Sequence, residues 1–313
     1  MVILIQYTII FACILSMVAL GGCFSEHSGV INLGLEGIMV IGALGGALMM
    51  KAIGDSVPAI IIILATLIVS IIVGMIYSAL LAVAAIHFNA DQTLIGTALN
   101  MLGVALATVI VKAINVAANP DDKSSIVKYY NGHKAFVLDI GSFQFNWFMP
   151  VALLAVILAY VVLYKTKFGL RLMACGEHPQ AADSVGISVY KMRWAGVLIS
   201  GALGGLGGIC YITVSSSQCQ FEDGVAGFGF LALAVMIFGK WKPQNILGAA
   251  LLFGFFRALS SVYMGFDFLM ALHIPSTLYT MLPYIISLVV LAFTSKNSAA
   301  PKAEGIPYDK GAR

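Results

Sequence analysis

Two polar residues able to hydrogen-bond or carry charge, Asn32 and Glu36, lie inside an apolar segment of the chain. In a continuous helix their four-residue spacing would place both on one face, together with Met39 and Ala43. An ionisable side chain inside an apolar span is costly, and by default it marks a pathway or a buried partner. The pair therefore indicates a polar path for a solute, or else a structural contact or surface hydration of Glu36. Both interpretations stay open at this point.

Further polar side chains lie on or beside later apolar segments. Gln92 and Asn100 fall on one of them, and residues 215–218 follow another. Both sets could line a polar path, although Ser and Thr in membrane helices commonly bond to their own backbone. Arg257 lies in a further apolar segment, ten residues before Asp267. It either pairs with a carboxylate or extends its guanidinium to the membrane surface.

Residue patterns for catalysis, nucleotide binding and metal binding are missing from the sequence. Gly239-Lys240 is followed by Trp241 rather than Ser or Thr, so the chain has no Walker A loop for phosphate. The five cysteines form no CxxC pair, and no His/Cys spacing typical of a metal site occurs. We therefore predict no catalytic residue, no metal site and no cofactor in this chain.

Apolar helices must position these side chains. The 313 residues are 60% hydrophobic and 10% charged, against about 25% charged in soluble domains, which predicts an all-α integral membrane protein. The net charge of +3 is too small to indicate nucleic acid binding. About nine transmembrane segments are predicted, with 29–50 and 224–239 as broken spans: 2–22, 29–50, 59–86, 93–114, 146–164, 194–213, 224–239, 245–265 and 276–294.

The distribution of Lys and Arg predicts the orientation. With 165–193 in the cytoplasm, eleven Lys and Arg lie inside and five outside, as the positive-inside rule requires. The chain then divides into a transmembrane domain, 1–294, and a cytoplasmic tail, 295–313, whose composition predicts disorder. Residues 115–145 form the main external segment, with a turn at 119–122.

The two predicted broken spans share a sequence pattern. GVINLG at 29–34 is echoed by GVAGFG at 224–229. In the predicted topology the first segment enters from inside and the second from outside. This arrangement is the signature of an inverted repeat, and chance similarity between glycine-rich segments is the alternative.

The interval 165–193 is the longest charged stretch between apolar segments. Within it, Pro179 after Gly176-Glu177-His178 is a helix start signal, and Gly186 is a stop signal. The resulting helix has about two turns, which is too short to be stable alone in water. A short helix held between two membrane spans favours docking against a partner.

These residues resemble the cytoplasmic coupling loop of bacterial ABC-importer permeases, in the class that handles branched-chain amino acids, ribose-type sugars and nucleosides. The similarity extends from 168–171 to the glycine-rich run 200–208. The resemblance implies that eight residues couple the chain to an ATPase: Gly176, Glu177, His178, Pro179, Ala181, Ala182, Asp183 and Gly186.

The run VINLGLEG at 30–37 resembles the matching span of nucleoside-type permeases, so nucleosides are the expected substrates and ribose-type sugars the alternative. The resemblance implies a multi-pass subunit in the bacterial cytoplasmic membrane that works by alternating access. It also implies three protein partners: an ABC ATP-binding protein that carries the ATP, a second homologous permease and an extracytoplasmic substrate-binding lipoprotein. The expected substrate path holds Asn32, Glu36, Gln92 and Asn100. An ion-coupled secondary transporter that uses Glu36 is the alternative from another class.

Overall fold

The computed structural model describes residues 2–53, 57–141, 143–215, 217–266, 275–294 and 300–311. Within them the chain is almost entirely helical. The helices are α1 (Val2–His27), α2 (Leu35–Ala52), α3 (Ala59–Ala82), α4 (Gln92–Ala118), α5 (Tyr130–Phe136), α6 (Phe148–Lys165), α7 (Lys167–Glu177), α8 (Pro179–Ser184), α9 (Val189–Ser215), α10 (Phe228–Phe238), α11 (Pro243–Val262) and α12 (Ser276–Thr294).

Seven of these helices are long and apolar enough to cross a membrane, namely α1, α2, α3, α4, α6, α9 and α11. Helix α3 continues into a π-helical turn, Val83–His87, so 59–86 is one long span as predicted. Two shorter apolar helices, α10 and the 277–289 part of α12, add to the seven. Together they occupy the nine predicted apolar segments, which confirms the all-α, multi-pass class.

Helices α1, α2 and α9 form the centre of the bundle, with α3 and α11 packed around them. Small residues let the backbones approach closely. A Cβ atom on Gly42 of α2 would meet the backbone of Gly205 on α9, and one on Gly74 of α3 would meet the backbone of Gly201. Glycines at these helix contacts thus allow close packing within one subunit. Helices α4 and α6 lie at the periphery and expose large apolar side chains such as Met101, 77% exposed, as contact with membrane lipid requires.

The predicted external segment is more structured than its sequence indicates. The turn at 119–122 is present, since Asp122 donates its backbone N–H to the carbonyl of Asn119 at 2.9 Å. Four short strands follow: β1 (Ile126–Lys128), β2 (Val137–Ile140), β3 (Phe143–Asn146) and β4 (Gln218–Gln220). Strand β1 pairs with β4 and β2 with β3, both antiparallel. The predicted external segment is therefore tied through β1 to the strand that follows α9.

The tail differs from its prediction between residues 300 and 311. Ala303 donates its backbone N–H to the carbonyl of Gly176 at 2.8 Å, and Gly305 donates to the carbonyl of Gly29 at 3.3 Å. The side chains of Ala303 and Tyr308 are buried. The expectation of disorder is thus wrong for this part, because tertiary contacts order a segment whose composition alone does not.

A titratable carboxyl lies within this docked tail. Burial raises the pKa of Glu304 to about 7, against an ordinary value of 4.5. Its Oε2 atom is enclosed with no hydrogen-bond partner in the described part of the chain, and the Glu26 carboxyl lies near enough to interact with it. Since the docked tail holds this proton more tightly than a released tail, docking weakens as pH rises from about 4.5 to 7.

We expect the tail of the wild-type protein to be cleaved faster at high pH than that of Glu304→Gln. The rate of cleavage of the wild type by a broad-specificity protease, divided by that of Glu304→Gln, should rise several-fold between about pH 5.5 and pH 8. Using the ratio cancels the pH dependence of the protease itself. A ratio that stays constant across this range would show that Glu304 does not control docking.

Candidate functional site

The two broken spans meet inside the bundle at the first turns of their helices. Helix α2 begins after the non-helical residues 28–34, and α10 begins after 221–227, which contain a short 3₁₀ turn. The carboxylate of Glu36 accepts the backbone N–H of Gly227 at 2.8 Å and that of Gly229 at 2.6 Å. A Cβ on Gly229 would lie 2.5 Å from the backbone nitrogen of Glu36, so the two helix starts are in direct contact.

This contact follows from the chemistry of helix ends. The first N–H groups of a helix have no partner within it, and a membrane interior offers no water to satisfy them. A carboxylate satisfies them with charge-assisted hydrogen bonds and also complements the positive end of the helix dipole. Glu36 therefore caps α10. Tyr284 of α12 supports the same turn by donating its hydroxyl to the carbonyl of Ala226 at 2.7 Å.

Two polar residues of α4 hold the non-helical segment that precedes α2. Asn100 accepts the backbone N–H of Gly37 and donates to the carbonyl of Leu33, both at 2.8 Å. Gln92 accepts the backbone N–H of Ile31 at 2.7 Å. Side chains of α4 thus replace the helical hydrogen bonds that this segment lacks.

Asn32 holds the same segment from within. Its amide donates to the hydroxyl of Ser200 on α9 at 2.8 Å and accepts the backbone N–H of Gly34 at 3.1 Å. The side chain is completely buried. The prediction that Asn32 and Glu36 share a helix face is wrong, because the helix begins only at Leu35 and Asn32 lies outside it. Glu36 itself does lie on α2.

The four residues expected to line a substrate path therefore come together around one break in the bundle. Each bonds to the backbone of a broken span, so all four stabilise the non-helical geometry there. Glu36 and Asn100 are 9% and 8% exposed, and the Nε2 atom of Gln92 is buried with no partner among the described residues. Ser200, which completes this network, was missed in the sequence, where it is one small residue in a glycine-rich run.

Arg257 neither pairs with a described carboxylate nor extends away from the bundle. Its guanidinium carbon lies 5.3 Å from the ring centroid of Phe228 and 5.9 Å from that of Phe11, a cation–π arrangement beside the start of α10. Asp267, a candidate partner, lies outside the described residues. Of the predicted polar set at 215–218, Gln218 lies on strand β4 rather than on a span, and residue 216 is outside the described part.

The interval 165–193, predicted to be cytoplasmic, contains the helices α7 and α8. The predicted short helix is present as α8, with Pro179 in its first turn, and the chain turns at Gly186 with φ of +82°. Gly186 donates its N–H to the carbonyl of Asp183 at 2.9 Å, which closes the helix end. A positive φ is unfavourable for residues with a Cβ, so glycine suits this position.

Helix α7 was not predicted, although its sequence carries the signals. Thr166 caps it by accepting the N–H of Gly169 at 3.2 Å. The positions of Leu172 and Cys175, both buried, fit a helix with one face on the bundle. At its end Gly176 lies so close to α1 that a Cβ there would meet the carbonyl of His27. Helix α7 is thus anchored on the end of α1 and connects it to α8.

The predicted coupling residues form an inner and an outer set. Gly176, Pro179 and Ala182 are buried, Asp183 is half-buried, and Glu177, His178, Ala181 and Gly186 are exposed. Two apolar side chains on the same unit are also exposed, Leu170 to 59% and Val185 to 75%. The unit is therefore anchored on one side and presents a mixed polar and apolar surface on the other, as a docking element does.

The sequence was compared with protein families and with known proteins. A family model described as "Branched-chain amino acid transport system / permease component" matches residues 4–292. The guanosine ABC transporter permease protein NupQ of Bacillus subtilis is 41% identical over 99% of this chain and 98% of its own length. The nucleoside ABC transporter permease protein NupC of Lactococcus lactis is 38% identical over 98% of this chain and 97% of its own.

A further relative is less similar. The guanosine ABC transporter permease protein NupP, also of Bacillus subtilis, is 25% identical over 74% of this chain and 66% of its own length. No solved structure matches the chain. The family match covers nearly the whole bundle, including both broken spans and the α7–α8 unit. The chain is thus a multi-pass membrane protein that belongs to the family of permease components of branched-chain amino acid transport systems.

Proposed function

We propose that this chain is a permease subunit of an ATP-driven importer for nucleosides. The observation that carries the substrate class is its similarity, over nearly its whole length, to two permeases named for guanosine and for nucleosides. The segment 30–37, whose sequence resembles nucleoside-type permeases, forms the break at the centre of the bundle. A nucleoside needs hydrogen-bonding groups on an otherwise apolar wall, and the Nε2 atom of Gln92, which has no partner among the described residues, is such a group at this break.

Substrate would move by alternating access. An ATPase docked on the outer face of α8 closes when it binds ATP and displaces the α7–α8 unit. Because Gly176 is packed against the end of α1, the displacement reaches the central helices as a rigid-body motion. The path opens to one side and then to the other past Asn32, Glu36, Gln92 and Asn100. A break whose backbone is satisfied by side chains can shift without exposing bare amides to lipid.

The partners follow from this assignment. An ABC ATP-binding protein supplies ATP on the cytoplasmic side, a second homologous permease completes the path, and an extracytoplasmic substrate-binding lipoprotein delivers the nucleoside. Bacillus subtilis has two guanosine permeases that both resemble this chain, which supports a pair of unlike permeases. The complex would lie in the bacterial cytoplasmic membrane, and no nucleic acid takes part.

The ion-coupled alternative has less support. Each oxygen of Glu36 accepts a backbone N–H, so the carboxylate serves as a helix cap rather than a free ion site. The anchored α7–α8 unit with its exposed outer face also has no role in a transporter that needs no ATPase. A ribose-type sugar remains the second candidate substrate within the same mechanism.

Uptake into cells that express the four components tests the proposal. We expect labelled guanosine to enter, other nucleosides to compete with it and ribose not to compete. Uptake should persist when an uncoupler removes the ion gradients while cellular ATP is maintained. Loss of uptake under the uncoupler would favour ion coupling, and competition by ribose alone would favour the sugar assignment.

The orientation gives a separate prediction. In a cysteine-free variant, a cysteine at position 183 should react with a membrane-impermeant reagent only from the cytoplasm, because α8 carries the docking face. A cysteine at position 122, which is exposed in the external segment, should react only from outside. The opposite pattern would reverse the topology derived from the Lys and Arg distribution.

A further inference from the structure

The docked tail contacts the predicted coupling unit at the end of α7. Ala303 donates its backbone N–H to the carbonyl of Gly176 at 2.8 Å. Gly176 packs tightly against the end of α1, since a Cβ on it would meet the backbone carbonyls of His27 and Glu26. The carbonyl that the tail binds is therefore held firmly in place by the packing of α7 on α1.

Two residues further on, the tail contacts the start of the first broken span. Gly305 donates its N–H to the carbonyl of Gly29 at 3.3 Å. A Cβ on Gly305 would lie 2.7 Å from the Cδ1 atom of Ile31, and Gly305 has a φ of +74°. Ile31 is also the residue whose backbone N–H is held by Gln92. A stretch of three residues thus joins the end of α7 to the segment that leads to Asn32.

A buried arginine anchors the tail on its other side. Arg193, in the first turns of α9, is only 1% exposed and donates from Nη2 to the carbonyl of Ile306 at 2.9 Å. Its guanidinium carbon lies 6.0 Å from the ring centroid of Tyr308. That ring packs edge-on against Tyr190, with 5.5 Å between centroids, and Tyr190 stacks on His87 at the end of the π-helical turn after α3.

Arg193 also links the tail to the broken span. A Cβ on Gly29 would lie 3.0 Å from the Nη2 atom of Arg193, so the guanidinium lies against the same residue that Gly305 binds. Burying a guanidinium is expensive unless its hydrogen bonds are made in the interior. The Nη2 bond to Ile306 is one such bond, so the tail contributes directly to satisfying a buried charge.

We propose that residues 300–311 are a positioning element of transport, the C-terminal strap, which transmits displacement of the coupling unit to the first broken span. The proposal rests on the proposed coupling of α8 to an ATPase. Consecutive Cα atoms are about 3.8 Å apart, so the link from residue 303 to residue 305 is too short to absorb much motion. When the end of α7 moves, the strap carries Gly29 and Ile31 with it and so shifts the backbone beside Asn32.

Gly305→Ala tests the strap without removing it. Alanine is strained at a positive φ and its Cβ displaces the Cδ1 end of Ile31, so the variant weakens the contact between the strap and the broken span. Gly311→Ala is the matched control, because among the described residues a Cβ there contacts only the side chain of Asp309, at 3.4 Å or more. The full complex is reconstituted in vesicles, and guanosine uptake and ATP hydrolysis are measured in the same preparation.

We expect Gly305→Ala to keep ATP hydrolysis and to import on the order of tenfold less guanosine per ATP, within the usual range of coupling between sites. Gly311→Ala should match the wild type. Adding Ile31→Val, which removes the Cδ1 atom, should partly restore the amount of guanosine imported per ATP. If Gly305→Ala does not assemble, a chain ending at residue 299 should show the same uncoupling.

Two results would overturn the proposal that the strap transmits displacement. Import per ATP equal to that of Gly311→Ala would show that the contact transmits nothing. A parallel fall of hydrolysis and import would show that the tail serves assembly or ATPase docking instead. Failure of the proposed function is distinguishable, since the wild-type complex itself would then import no guanosine.

Discussion

Replacing Glu177 with Lys is expected to abolish ATP-driven uptake while the protein still inserts and folds. Glu177 is the last residue of α7, is exposed and is separated from the start of α8 by His178 alone. Among the described residues no ion pair with Glu177 is formed, and its carboxylate interacts with the imidazole of His27 only at longer range. At a docking surface, placing like charges together costs several kcal/mol, and uptake should fall on the order of a hundredfold.

The measurement is nucleoside uptake and co-purification of the ATPase with the Glu177→Lys permease. Asp121→Lys is the matched control, because Asp121 is an exposed acid in the external segment. It should leave uptake and ATPase binding unchanged. Normal ATP-driven transport by Glu177→Lys would refute the assignment of α7 and α8 as the coupling unit.

Replacing Glu36 with Leu is expected to remove both stability and transport. The change leaves the N–H groups of Gly227 and Gly229 without an acceptor inside the membrane and removes the charge that complements the α10 dipole. A loss on the order of 2–4 kcal/mol of unfolding free energy follows. Glu36→Gln keeps one acceptor oxygen but turns an amide N–H₂ toward the other donor, so its effect should be intermediate.

Thermal melting of the purified complex, measured beside uptake, checks this prediction. Glu222→Leu is the control, because Glu222 makes an ion pair with Lys112 and accepts a hydrogen bond from Gln220, and the side chains of the ion pair are more than 40% exposed. Such surface pairs contribute little. Affinity of the external binding protein should not change in any of these variants. A Glu36→Leu protein that melts and transports normally would show that the meeting of the two broken spans is not essential.

Much of the architecture is readable from the sequence because long apolar runs have few alternatives in a membrane. The nine segments, the break before α10 and the two-turn helix after Pro179 all follow from length, glycine content and cap residues. The position of Asn32 was not readable. Its spacing from Glu36 fits a helix, but the non-helical course of 28–34 depends on Gln92 and Asn100 from another helix. No local sequence pattern indicates that contact.

For the candidate site too, the sequence identifies which residues matter but not which groups they bind. Asn32, Glu36, Gln92 and Asn100 were singled out because polar groups in apolar spans need partners, and the structure does bring them together. Their partners are mostly backbone groups, which a sequence does not display. The strap was missed for a related reason, since Ala303 and Gly305 bind through main-chain N–H groups. Its two large apolar side chains also give no amphipathic pattern, because Tyr308 is buried but Ile306 is 56% exposed.

The inverted repeat stays a prediction. In both halves a non-helical segment is followed by a helix, and the first turns of the two helices touch at Glu36 and Gly229. This arrangement is what two oppositely inserted repeats would produce, each placing a helix start near the centre of the membrane. Cysteine labelling at positions 183 and 122 tests the orientation on which the repeat depends.

Transport by the purified complex in vesicles loaded with ATP tests the central claim most directly. The complex contains this chain, its second permease, the ATPase and the binding protein, with labelled guanosine or ribose outside. The account predicts that guanosine accumulates only when ATP and the binding protein are both present, and that ribose does not accumulate. Accumulation of ribose with no uptake of guanosine, or guanosine uptake driven by an ion gradient without ATP, would contradict it.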